Sequence, residues 1–146
     1  MSSLITKELR LSVAVRADYL CEYCLMHEDD MYFGCEVDHI ISLKHGGQST
    51  VNNLAYACVF CNRHKGSDIG SILWRSGNLV RFFNPRTDHW GDHLKLDGDD
   101  IKPESDIGEV TVQIFNFNHV ERILEREVLM SIGRYPIKQA LSRMMK

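Results

Sequence analysis

Apolar positions recur at near-helical intervals at the start of the chain. Leu9, Val13, Ala17 and Leu20 mark one face, and no Gly or Pro interrupts Thr6 to Arg16. A helix is therefore expected from about Thr6 to Tyr19, with Ser3 or Thr6 as its cap. It feeds straight into Cys21-Glu22-Tyr23-Cys24, and the polar stretch His27 to Gly34 reads as a turn or hairpin tip. Cys35 to Ile41 alternates and is β-branched, which predicts a strand with His39 near its end. Lys44 to Thr50 has loop composition. Asn52 to Ala57 reads as a short helix, and Asn62 to about Ile69 as another. Further on, Leu79 to Phe83 and His93 to Leu96 read as strands around an Asp97-Gly98-Asp99-Asp100 turn, and Val110 to Phe115 fits a strand or a helix. Val120, Ile123, Leu124 and Val128 fall on one face of a helix over Val120 to Met130, and Pro136 can open a last short helix to Met145.

A length of 146 residues sets a prior of one domain with a terminal extension. We expect a core over residues 1–90 and an extension over 91–146 packed on the same domain. No apolar run approaches the length of a membrane span, and the N-terminus lacks the charged-then-apolar plan of a secretory signal. With five cysteines, four of them in metal-type pairs, a reducing cytoplasm is the expected compartment. The net charge of −3 weighs against nucleic-acid binding. Its distribution tempers that: five basic residues (Arg63, Lys65, Arg75, Arg81, Arg86) and one acid, Asp68, lie between Phe60 and Arg86.

Two Cys-x-x-Cys pairs, Cys21/Cys24 and Cys58/Cys61, have the spacing of a tetrahedral zinc set. Four thiolates leave no open position for water, so such a zinc is structural. Cys35 stands apart and reads as a small buried hydrophobe. Between and after the pairs lie Val37-Asp38-His39-Ile40, Gly46-Gly47, Asn52-Asn53-Leu54 and Asn62-Arg63-His64-Lys65-Gly66. These supply an oxygen ligand, a base and an orienting amide, a combination that suits metal-assisted phosphodiester cleavage.

In this order and spacing the stretch from Cys21 to Gly66 resembles the HNH endonucleases. More weakly, Phe82-Phe83-Asn84-Pro85-Arg86 followed by Trp90-Gly91-Asp92-His93 resembles the downstream segment of small stand-alone bacterial members. The resemblance implies an α+β chain: a ββα-metal core stapled by the four cysteines, with an N-terminal helix and a C-terminal α/β extension. It implies His39 as general base, Asp38 and Asn62 as ligands of a catalytic Mg2+ or Mn2+, and Asn53 as the residue that braces the loop and holds the base. Lys65, three residues after Asn62, would share its face and reach a phosphate, or else stand solvated. His64 is a rival for the last motif position; two helical residues are about 200° apart, so His64 and Asn62 cannot both face one metal. His45, Arg63 and His64 remain candidate substrate contacts.

The expected function is that of a metal-dependent endonuclease acting on DNA, most simply double-stranded, and the alternative is a non-catalytic zinc module that binds DNA or a protein. Such a scaffold needs the cysteines but not Asp38, His39 or Asn62. The region from Gly91 is left with three roles open: reading DNA, forming a homodimer interface, or completing the core.

Overall fold

Thr6 opens the first helix, α1 (Lys7–Arg16), by accepting a hydrogen bond from the Leu9 amide, in a computed structural model that describes residues 5–145. Ser3, the other candidate cap, lies outside the described residues. Val13, Ala14, Ala17 and Leu20 are buried, as the helical spacing requires. Arg16 ties α1 to the segment that follows, donating to the carbonyls of Val51 at 2.8 Å and Leu54 at 2.6 Å.

Contacts divide the chain into two units, Met1–Ile69 and Gly70–Lys146. In the first unit, β1 (Cys35–His39) pairs antiparallel with β2 (Leu54–Cys58), Asp38 opposite Ala55 and His39 opposite Leu54. Helix α2 (Val59–Lys65) follows β2 directly. This is the ββα arrangement expected. Two elements differ: α2 starts before the expected Asn62 and ends at Lys65, short of Ile69, and where a helix was expected over Asn52 to Ala57, a single tight turn over Val51–Asn53 leads into β2. All five β2 residues are buried. A strand covered on both faces reads as a continuous apolar run, which periodicity cannot tell from a helix.

The second unit holds two further hairpins, β3 (Gly70–Leu73) with β4 (Asn78–Arg81), and β5 (Leu94–Asp97) with β6 (Asp100–Pro103). The short α3 (Trp90–His93) precedes β5, and α4 (Asp106–Phe115), α5 (Val120–Ser131) and α6 (Lys138–Met144) complete the chain. Helix α4 carries both hairpins: Phe82 meets Phe115 edge-on, and the Phe83 amide donates to Thr111 Oγ1 at 2.9 Å. So Val110 to Phe115 is helical.

Helix α5 is turned inside out relative to its apolar pattern. Val120, Leu124 and Val128 are 54–64% exposed, whereas Arg122 and Arg126 are buried. The reason is polar: Arg126 donates to the Asp99 carbonyl at 2.7 Å and to Asn118 Oδ1 at 3.0 Å, and Asn118 in turn bonds both the amide and the carbonyl of Ile101. These charge-assisted bonds hold the Arg126 side of α5 inward. Among the described residues no helix is long and apolar enough to cross a membrane.

Candidate active site

The four paired cysteines converge. Their sulfurs all lie within 4.8 Å of one another and are buried. Cys24 Sγ and Cys58 Sγ are 3.9 Å apart, against about 3.8 Å for two sulfurs on a tetrahedral zinc with bonds near 2.3 Å. Each knuckle closes on itself: the Cys24 amide points at Cys21 Sγ and the Cys61 amide at Cys58 Sγ, both at 3.4 Å. Burial pushes the Cys21 and Cys61 thiols far above their ordinary range. A cation of double charge reverses that balance by binding the thiolates. The set can hold a zinc ion, and Cys35, buried separately, is outside it.

Asp38 and His39 are neighbours at the end of β1, where the chain bends at Ile40. Both line one open pocket of about 300 Å3, which Asn62 lines from the first turns of α2. The adjacent Asp38 and His39 are thus brought together with Asn62, which is distant in sequence. His45, Arg63 and His64 are exposed and do not line this pocket. His64 stacks on Phe60, ring centroids 4.1 Å apart, with its Nδ1 at 2.9 Å from the Phe60 carbonyl.

The His39 ring is half-buried and meets Ser49 Oγ through Nε2 at 2.8 Å. Asn53 instead devotes its side chain to the loop. Its Oδ1 accepts from the Ile41 amide at 2.9 Å, and its Nδ2 donates to the carbonyls of Ile41 and Gln48, also at 2.9 Å. The backbone adds one link, the Ile40 amide to the Asn53 carbonyl at 2.9 Å. The loop is drawn so tight that a Cβ on Gly47 would stand 1.6 Å from the Ile41 carbonyl oxygen. Gly46, at φ 85°, adopts the left-handed conformation that ends the short turn Leu43–His45.

Asp38 is held from two sides. Tyr23 donates its hydroxyl to Oδ2 at 2.7 Å, and Lys65 Nζ lies 3.2 Å from Oδ1. Lys65 also donates to the His39 carbonyl at 2.9 Å. The Lys65 side chain is 2% exposed and that of Asp38 4%. Lys65 is thus neither solvated nor turned to a phosphate; it braces the residues it was expected to accompany. Burial pushes the Asp38 carboxyl up from its ordinary range, opposed by the Lys65 charge and the Tyr23 hydroxyl. Burial, then the facing Asp38, pushes the Tyr23 phenol well up, so it remains a donor. Asn62 Nδ2 points at Glu36 Oε1 at 3.3 Å. Because a carboxylate only accepts, this contact fixes which end of the amide is the oxygen.

Three of these partners escaped the sequence reading. Tyr23 had a signal, an aromatic with a polar tip inside a metal knuckle, where burial of the ring forces its hydroxyl to find an acceptor. Ser49 and Glu36 had none, since each is defined only by the register of the chain around it.

A two-stranded hairpin and helix, a four-sulfur cluster and an Asp-His-Asn pocket together make up the ββα-metal architecture. Residues 21–68, a minority of the chain, match the HNH endonuclease family. No curated protein and no solved structure matches the chain. The family match supports nuclease chemistry in general.

Proposed function

We propose that the protein is a metal-dependent endonuclease that hydrolyses DNA phosphodiester bonds. The observation that carries this reading is the convergence of Asp38, His39 and Asn62 on one solvent-open pocket beside a closed sulfur site. Their chemistry fits the task. Asp38 and Asn62 offer hard oxygens, the donor type of Mg2+ or Mn2+. A cation held there would neutralise phosphoryl charge and stabilise the leaving oxygen. His39, half-open to the pocket, takes a proton from the attacking water; the water oxygen bonds phosphorus as the bond to the 3′ oxygen breaks. Ser49 holds the ring, and Asn53 holds the loop that carries Ser49. The four cysteines hold a structural zinc, and a reducing cytoplasm suits five cysteines that form no disulfide.

A second reading, a zinc module without catalysis, draws on Asp38. Both its oxygens already accept a hydrogen bond, which a purely structural buried pair would also display. Plasmid, single-stranded DNA and RNA incubated with purified protein across several divalent metals separate the two. Nicking of DNA that requires added Mg2+ or Mn2+, and that falls by roughly 10²–10⁴ in His39→Ala, supports the enzyme. DNA binding with no cleavage under any metal supports the module.

A further inference from the structure

The two donors on Asp38 come from the two arms of the sulfur cluster. Tyr23 lies between Cys21 and Cys24 in the first knuckle, and Lys65 ends the helix whose first turn contains Cys61. The first arm has little freedom. The Leu25 amide donates to the Cys21 carbonyl at 2.8 Å, the Cys21 amide to the Met26 carbonyl at 2.9 Å, and Leu25 holds a left-handed backbone at φ 64°. Tyr23 is fully buried, so its ring has one place to go. Its hydroxyl, 2.7 Å from Asp38 Oδ2, fixes the rotation of that carboxylate, with the Lys65 ammonium on the other oxygen.

We propose that Tyr23 is a positioning residue: it carries the geometry of the sulfur cluster to Asp38 and so sets the oxygen that Asp38 presents to the divalent cation. This rests on the reading of Asp38 as a cation ligand. A ligating carboxylate keeps a second lone pair on each oxygen, so a donor on Oδ2 orients the group without consuming it. Partners that orient a ligand in this way typically govern metal affinity by 10–100-fold. The tyrosine also explains an otherwise odd choice of residue in a knuckle, where nothing about sulfur ligation requires an aromatic side chain.

The test uses full-length, zinc-loaded protein and Mn2+ as the probe, with free Mn2+ read by electron paramagnetic resonance and zinc content measured on the same samples. Wild type, Tyr23→Phe and Asp38→Asn are compared. The proposal expects Tyr23→Phe to keep one zinc per chain, to bind Mn2+ about tenfold more weakly, and to recover cleavage at saturating Mn2+ with an unchanged KM for DNA. Tyr23→Phe binding Mn2+ like wild type while Asp38→Asn does not would overturn the role of the tyrosine and leave the ligand assignment standing. Loss of zinc together with Mn2+ in Tyr23→Phe would make the hydroxyl merely structural and also overturn it. Asp38→Asn binding Mn2+ like wild type would remove the ligand assignment, and this inference with it.

Discussion

Gly47→Ala is the sharpest perturbation of the loop over the candidate base. A Cβ there would meet the Ile41 carbonyl oxygen at 1.6 Å, its carbon at 2.6 Å and Asn53 Nδ2 at 2.8 Å. None of these can yield alone. The Ile41 carbonyl is fixed by Asn53 Nδ2, and Asn53 is fixed in turn by the Ile41 amide and the Gln48 carbonyl. The loop must open, and the three bonds of Asn53 go with it. At about 1 kcal/mol net for each, partly regained from water, the cost is roughly 2–3 kcal/mol. For a unit of this size that lowers the melting temperature by roughly 10–20 °C. Gly46→Ala is the internal control: its Cβ meets nothing within 4 Å, but its φ of 85° is left-handed, so it should cost only about 1–2 kcal/mol. Thermal melts of both variants, of Asn53→Ala and of Asn53→Ala/Gly47→Ala provide the check. The double variant should be far less unstable than the sum of the singles, because both break the same bonds. Gly47→Ala melting within 2 °C of wild type, or additive losses, would show that the glycine is not there for the close approach of Ile41.

Chelation of zinc, or Cys58→Ser, should abolish the ordered structure of the Met1–Ile69 unit, read as collapse of its amide protection in hydrogen exchange, because the ligands converge only in the folded state. Ser49→Ala frees the His39 ring and should reduce cleavage by about tenfold without shifting the melt, an effect taken from the usual cost of losing an orienting partner. Asp88 is pushed up by burial but held net below the ordinary carboxylate range by Arg81 and the Asn84 amide. The folded state therefore favours the ionised form: its contribution to stability is present above the unfolded value of about 3.9 and is lost as pH falls through the lower folded value. Asp88→Asn should flatten that acid limb in pH-dependent melts. Asp38→Leu/Lys65→Met/Tyr23→Phe, which removes the buried pair and the hydroxyl that faces it together, should be about as stable as wild type by urea titration yet inactive, whereas Lys65→Met alone should be destabilised by several kcal/mol.

The metal knuckles were legible because sulfur ligation demands a fixed spacing, and Asp38-His39 and Asn62 because the pattern places them relative to the cysteines. Burial was not legible where it depends on partners remote in sequence. Leu54 to Cys58 looks helical in isolation because both its faces are covered, which removes the alternation that would betray a strand. Val110 to Phe115, rich in β-branched residues, is helical because Ser105 caps it through the Gly108 amide and two hairpins pack on it. On α5 the apolar spacing gave the element but not the buried side, since no periodicity reveals that Asp99 and Asn118 offer acceptors to Arg126. Lys65 misled for the same reason: a lysine three residues after a candidate ligand looks solvent-facing until the acid beneath it is known to be Asp38.

The Asp38–Lys65 pair bears most on what the first unit is for. A two-stranded hairpin is at best marginally stable alone, and in this unit it gains support from α1, α2 and the sulfur cluster. A buried ion pair adds little to such support, because desolvating the two charges offsets most of their attraction, and well-packed apolar residues of similar volume often do as well or better. Stability alone therefore gives no reason for a carboxylate at position 38, nor for the tyrosine hydroxyl and lysine ammonium that hold it in place. On the proposed reading, a carboxylate that lines an open pocket with its rotation fixed and its charge balanced suits cation binding, and the adjoining histidine has a separate partner, Ser49. On that reading the arrangement gives up an apolar contact beneath β1 for a fixed oxygen at its end, the kind of local concession that a functional site would explain.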